Sequence, residues 1–145
     1  MEILNKRARF DYFVEEEIEA GIELTGTEIK SIRDGKCNIK DCYGIVKNGE
    51  VFLLNMYIAQ YKEGNIFNHN ETRSRKLLLH KKEIKKINDS ITLNGLTLVP
   101  LKGYFKANKF KILLGICRGK KNYDKRETIK ERDVNREVKK NLKNY

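Results

Sequence analysis

Apolar and polar residues alternate in short runs along most of this chain, and the runs are separated by turn-forming residues. Phe10–Val14 and Ile18–Leu24 have strand-like composition, with Gly21 and Gly26 punctuating the second. Thr27 then stands where a helix cap belongs: over Glu28–Arg33 the residues Ile29 and Ile32 share one helical face, and Gly35 is a stop. Tyr43–Val46 and Val51–Met56 flank Lys47, Asn48, Gly49 and Glu50, and Asn-Gly between two strand-like runs is a strong hairpin signal. Arg75–Leu79 reads as a buried strand. A helix is predicted over Lys82–Ile91, where Ile84, Ile87 and Ile91 recur at steps of three and four. Leu96–Phe105 and Phe110–Cys117 form a last predicted hairpin across Lys106–Lys109, in which the only proline, Pro100, marks an edge or a bulge.

About six short strands with two small helices predict a mainly β fold. A small closed barrel of the oligonucleotide/oligosaccharide-binding (OB) type with helical plugs is the leading architecture, because closure removes exposed sheet edges. The expected division places this OB-like domain at residues 1–117 and a basic tail at 118–145. From Arg118 to Tyr145, eleven Lys or Arg stand against five Asp or Glu, a net of +6, with only six apolar side chains among them. Such a segment buries too little to offset the entropy of ordering it, so it is expected to be disordered when free and to order on a polyanion. The whole chain carries +11, which leaves +5 on the body. Body and tail are both basic, which favours a nucleic-acid partner over an acidic peptide or a small-molecule substrate. No apolar run approaches the ~20 residues that span a bilayer, and Met1–Arg7 lacks a signal-peptide core; a cytoplasmic protein with no membrane partner is expected.

Candidate chemistry changes this picture little. Cys37, Cys42 and Cys117 form no Cys-x-x-Cys pair, and an odd number argues against a disulfide framework. The two histidines, His69 and His80, have no cysteine at ligand spacing, so neither metal nor other cofactor is expected. Glu15, Glu16, Glu17 and Glu19 cannot converge on one ion, since successive strand residues point to opposite faces. His80, Glu83 and a distant Ser31 or Ser74 supply ingredients of a nucleophile, but no serine lies in a nucleophile elbow, and no enzyme activity is expected. More specific is Arg73–Lys82, which puts five cations and one imidazole around three leucines. Cations at a barrel rim suit recognition of the phosphate backbone of folded RNA.

Ordered along the chain are Asn5-Lys-Arg-Ala-Arg, Tyr12, Glu19-Ala-Gly-Ile, Leu24-Thr-Gly-Thr-Glu-Ile-Lys-Ser, Asn38-Ile-Lys-Asp, Arg73-Ser-Arg-Lys-Leu-Leu-Leu-His, Gly119-Lys-Lys, Tyr123-Asp-Lys-Arg and Ile129-Lys-Glu-Arg-Asp. This series resembles the SsrA-binding protein (small protein B) family from Asn5 to about Val138. The resemblance implies an OB-related barrel that binds the tRNA-like domain of tmRNA and delivers it to stalled ribosomes for trans-translation. It maps tmRNA-binding residues onto Glu19, Leu78 and His80, and basic RNA-facing positions onto Lys111, Arg118, Lys120 and Lys121. The family varies between His and Asn at the position of His80, and Arg118 replaces a commoner Lys.

The resemblance further implies that the tail becomes helical in the empty mRNA channel of the small subunit. Tyr123 takes the position of a ring that stacks on a decoding-centre base, and Asp124, Lys125 and Arg126 match a functionally sensitive triplet. Ile129, Lys130 and Arg132 belong to the same channel segment. The residues independently support a latent helix: Asp124 and Glu127 make a cap signal, Arg132, Arg136 and Lys140 form a basic ridge, and Val134, Val138 and Leu142 a thin apolar stripe. Alternative readings are a general tRNA or single-strand RNA binder on the same barrel, and a nuclease built around His69, His80 and the acidic strand.

Overall fold

The computed structural model describes residues 1–62, 68–121, 125–127 and 129–130. Its elements in chain order are β1 (Glu2–Leu4), α1 (Ala8–Asp11), β2 (Tyr12–Ile22), α2 (Gly26–Arg33), β3 (Cys37–Asn38), β4 (Tyr43–Lys47), β5 (Glu50–Leu54), β6 (Tyr57–Ile58), β7 (Arg75–Leu78), α3 (Lys81–Asn94), β8 (Thr97–Lys106) and β9 (Lys109–Gly119). The sheet runs β1-β8-β4-β5-β7-β2-β9, and a further β8–β9 pairing joins its ends. Six antiparallel strands therefore close a barrel, with β1 added along β8 and a small β3–β6 pair outside the ring. Closure is narrowest where Gly44 of β4 faces Leu98 of β8; a Cβ there would collide with the leucine side chain.

Period-two patterning fills the barrel. Ile18, Ala20 and Ile22 of β2, Val51 and Leu53 of β5, Leu77 of β7, and Ile112, Leu114 and Ile116 of β9 form one buried cluster with Ile32 of α2 and Ile87 of α3. On the opposite face of β8 and β9, Val99, Leu101 and Cys117 bury Ala8 of α1. Two hairpin turns match the sequence reading. Asn48-Gly49 joins β4 to β5 with positive φ at both residues, and Ala107-Asn108 joins β8 to β9 in the same way. Pro100 sits at a register shift in the β8–β9 ladder, the expected bulge.

Several elements differ from the sequence pattern. Phe10–Val14 and Ile18–Leu24 are not two strands: Phe10 and Asp11 close α1, and a single β2 passes through the acids with a bulge between Val14 and Glu16. Polar residues here keep a strand going because each ladder bond is made by backbone, not side chain. The cap of α2 is Thr25, not Thr27. The Thr25 side chain accepts from the Glu28 N–H, and the Thr25 N–H donates to Glu28 Oε1 at 2.8 Å, the reciprocal pattern whose spacing Thr27 does not meet. Helix α3 runs three residues beyond Ile91 to end at Gly95, in left-handed conformation. Strand β1 carries no alternation long enough to read in advance.

Glu28 and Arg75 are both fully buried and paired through Arg75 Nε and Glu28 Oε2. Arg73 Nη2 lies 2.6 Å from Glu28 Oε1, and Arg75 Nη1 donates to the Met56 carbonyl at 2.6 Å. The guanidinium thus ties α2, β7 and the segment after β5 together. Burial alone would push the Glu28 carboxyl up, but bonds from Arg73, the Thr25 N–H and Arg75 outweigh it and hold the carboxyl below its usual range. Removing one charge strands the other in the interior, so Glu28→Ala should destabilise the barrel by about 3–5 kcal/mol. The exposed pair Lys76–Glu50, 3.0 Å apart, is the control: Glu50→Ala should cost no more than about 1 kcal/mol. Denaturant unfolding of both variants measures the contrast. Because the folded carboxyl is depressed, the Glu28 contribution is present above the unfolded-state pKa and should fade as pH falls through the folded one.

Candidate nucleic-acid interface

Strands β7, β2 and β9 lie side by side, and their register assembles residues far apart in sequence. Gly21 of β2 pairs with Leu78 of β7 on one side and with Lys111 of β9 on the other. Glu19 stands two residues along the same strand. A surface depression is lined by Glu19, Gly21, Leu78, His80, Glu83 and Lys111, which unites four residues singled out from the resemblance. An adjoining one shares Gly21, Leu78 and Lys111 and continues to Asn108 and Lys109. Leu77 is 1% exposed whereas Leu78 is 51% exposed, so one step along β7 turns a core leucine into an apolar surface contact.

β2 is paired on both sides at Gly21 and Ile22, whereas the ladder partner of Glu19 is β9, and Ala20 is buried in the barrel. Gly21 serves its neighbours. A Cβ there would lie 3.2 Å from Leu78 Cβ and 3.6 Å from Lys111 Nζ, so its absence lets the leucine and the ammonium approach.

The electrostatics are mixed. The Tyr104 hydroxyl of β8 donates to Glu19 Oε2, and Lys106 Nζ lies 3.5 Å from Glu19 Oε1. The Tyr104 bond lowers the Glu19 carboxyl more than burial raises it, and Lys106 and Lys111 lower it further, so it lies below its usual range. The Tyr104 phenol is pushed up to about 12, first by burial and then by its bond to Glu19. His80 is the exposed N-cap of α3, and its N–H donates to Glu83 Oε1 at 3.0 Å. Glu83 is thereby engaged in capping. Nothing in the sequence pattern singles out Tyr104, whose place opposite Lys111 follows from the β8–β9 register.

Arg118, Lys120 and Lys121 do not join this group. Arg118 lies seven residues along β9 from Lys111, about 23 Å away at strand rise. There Arg118 pairs with Glu15 at 3.4 Å and packs over Phe13, 4.6 Å from the ring centroid. Lys120 Nζ lies 4.8 Å from the same centroid and donates to the Arg9 carbonyl at 2.9 Å, while the Lys120 N–H donates to the Asp11 carbonyl at 2.8 Å. Lys121 is exposed. Lys125 Nζ reaches Asp11 Oδ1 at 3.3 Å, and its N–H donates to the Lys121 carbonyl. Arg126 and Ile129 are exposed, and Lys130 pairs with Glu127 at 3.6 Å. Tyr123, Asp124 and Arg132 lie outside the described residues, as do Arg136, Lys140, Val134, Val138 and Leu142. Phe10 and Phe13, which lie beneath these cations, were not legible as site residues.

The remaining candidate chemistry is taken up by structure. Glu15, Glu16 and Glu17 each pair with a different cation, Arg118, Lys86 and Arg9. His69 is buried with Nδ1 at 2.9 Å from Thr27 Oγ1 and Nε2 at 2.9 Å from the Ile58 carbonyl, so both ring nitrogens are occupied. All three cysteines are free, and burial pushes the Cys37 and Cys42 thiols up to about 12 and Cys117 to about 11. Among the described residues there is no group of three side chains able to hold a metal ion, and no helix long and apolar enough to cross a membrane.

A solved chain reported under "tmRNA-SmpB: a journey to the center of the bacterial ribosome" superposes with a TM-score of 0.70 at 44% identity, covering 88% of this chain and 94% of that one. The SsrA-binding protein of Ligilactobacillus salivarius is 57% identical over 141 residues, spanning 97% of this chain and 91% of the relative. That of Staphylococcus aureus is 58% identical over 139 residues, spanning 96% and 90%. A family model described as SmpB protein matches residues 2–144, and with that near-complete match the chain belongs to the SmpB protein family.

Proposed function

We propose that this chain is a non-catalytic, cytoplasmic RNA-binding factor of ribosome rescue. It binds the tRNA-like domain of tmRNA through its barrel and delivers that RNA to stalled ribosomes for trans-translation. The observation that carries the reading is the meeting of Glu19, Leu78, His80 and Lys111 around one depression, from three separate stretches of a family-matched chain. An exposed leucine, an imidazole, a carboxylate and an ammonium make a surface for a folded RNA with unstacked bases, where apolar contact, hydrogen bonding and phosphate contact occur together. Lys111, Arg118, Lys120 and Lys121 supply backbone contacts along both ends of β9. The tail residues Tyr123, Asp124, Lys125, Arg126, Ile129, Lys130 and Arg132 act in the empty mRNA channel and decoding centre. A nuclease is disfavoured, because His69 spends both nitrogens inside the protein and Glu83 caps α3.

Three outcomes test this reading. In a gel-shift with tmRNA against bulk tRNA competitor, Glu19→Ala with His80→Ala should weaken binding by about 2 kcal/mol, roughly 1 per interface hydrogen bond. Its melting temperature should stay near the parent value, since both side chains are exposed and the His80 N–H that meets Glu83 is backbone. Normal binding by the folded double variant refutes the site, and a general tRNA binder would show no preference for tmRNA over competitor.

The logarithm of affinity should fall linearly with the logarithm of salt concentration, and Lys111→Ala should shallow that slope by about one. A flat salt profile excludes backbone recognition.

The barrel and tail divide the work in this proposal, so truncation after Gly119 should leave a folded protein that still binds tmRNA, weakened only by the loss of Lys120 and Lys121, yet fails to support peptide tagging on stalled ribosomes. β9 ends at Gly119, so every ladder pair is retained. Tyr123→Ala should show a milder tagging defect, consistent with loss of base stacking of roughly 1–3 kcal/mol. Full tagging by the truncated chain overturns the tail's role; loss of tmRNA binding shows that the halves are not separable.

A further inference from the structure

A carboxylate is an awkward group for a surface that must meet a polyanion. Unsupported, Glu19 would be repelled by phosphates and would lose side-chain freedom on docking. The barrel answers both difficulties from one face of β8. Lys102, Tyr104 and Lys106 alternate along that strand and so share a face. The Tyr104 hydroxyl donates to Glu19 Oε2, Lys106 Nζ stands 3.5 Å from Glu19 Oε1, and Lys102 Nζ lies 5.5 Å from the Tyr104 ring centroid while also reaching Glu2 at 3.6 Å. Tyr104 is in register with Lys111, whose ammonium approaches Gly21 within the same depression. The phenol is therefore held by Lys102 on its own strand and by Glu19 of β2 before any ligand arrives.

We infer that Tyr104 is a positioning residue of the RNA interface: its hydroxyl holds the Glu19 carboxylate so that its remaining lone pairs face hydrogen-bond donors of the RNA, while Lys106 offsets its charge towards the phosphates. A carboxylate has about four acceptor sites, and the bonds from Tyr104 and Lys106 leave about two of them open. The ionised state that acceptance requires is the one the surrounding groups favour. This inference rests on the reading of Glu19 as an RNA contact.

A double-mutant cycle on the full chain separates the two, with tmRNA as the probe at fixed salt. Tyr104→Phe keeps the ring and its packing but removes the hydroxyl, and should weaken binding roughly fivefold, the scale of one hydrogen bond. Glu19→Gln should weaken it at least as much, and adding Tyr104→Phe to Glu19→Gln should cost nothing further. The melting temperature and the salt slope of Tyr104→Phe should match the parent, because a positioning hydroxyl neither supports the core nor touches phosphate. Parent-like binding by Tyr104→Phe, an additive double variant or a lowered melting temperature overturns the positioning role and leaves Glu19 as a contact. Parent-like binding by Glu19→Gln instead overturns the contact itself.

Discussion

The antiparallel pairing of β2 with β9 is the constraint on which the rest depends. Backbone hydrogen bonds run from Tyr12↔Gly119 to Gly21↔Lys111, so the ladder is a ruler with a basic group at each end. One end presents Lys111 beside Glu19 and Leu78; the other presents Arg118 with the docked Lys120. Because ladder geometry is set by backbone, the spacing between the ends survives almost any surface substitution. A ligand touching both ends must itself span about 23 Å, which suits a folded RNA far better than a nucleotide or a short peptide.

The second constraint is the buried Glu28–Arg75 pair, which orients the elements beside the first site. Arg75 opens β7, three residues before Leu78, and its guanidinium is anchored by α2 through Glu28 and by the Met56 carbonyl. Buried charges of this kind contribute little net stability against an apolar replacement, but they tolerate few alternative arrangements. Here the pair fixes how β7 leaves the loop before it, and through the period of the strand it decides that Leu77 points inward and Leu78 outward. An apolar replacement would satisfy the core without specifying that register.

Much of the fold was legible where local chemistry and tertiary demand agree. The Asn48-Gly49 turn needs positive φ at both positions, and the residues there tolerate it; the bulge at Pro100 follows from a missing donor. The barrel, its last hairpin and α3 were readable for the same reason. Legibility failed where partners from elsewhere override the pattern. Glu15–Glu17 read as a break between strands, yet β9 supplies the ladder and Arg9, Lys86 and Arg118 supply the charges, so β2 continues. Leu78 and His80 lie in the basic leucine run that composition already singled out, but nothing in the spacing says that they meet Glu19. Tyr104 and Phe13 belong to the same class of miss: their significance comes from register with Lys111 and Arg118.

The two ends of the ladder also differ in how their charges are held. At the Glu19 end the groups lie around an open depression, with Glu19 set between the ammonium groups of Lys106 and Lys111. At the Arg118 end the cations lie over Phe10 and Phe13 and bond to the carbonyls and carboxylate of α1. Cation–π packing at a partly exposed ring is worth about 0.5–1 kcal/mol, enough to orient a side chain and too little to prevent its exchange to phosphate. The Lys120 N–H to Asp11 carbonyl bond carries a different consequence, because it is backbone to backbone. It sets the direction in which the chain leaves β9 before any RNA is bound. On the proposed reading the Glu19 end serves recognition alone, whereas the Arg118 end both contacts RNA and sets where the tail begins, so one ladder couples recognition to placement.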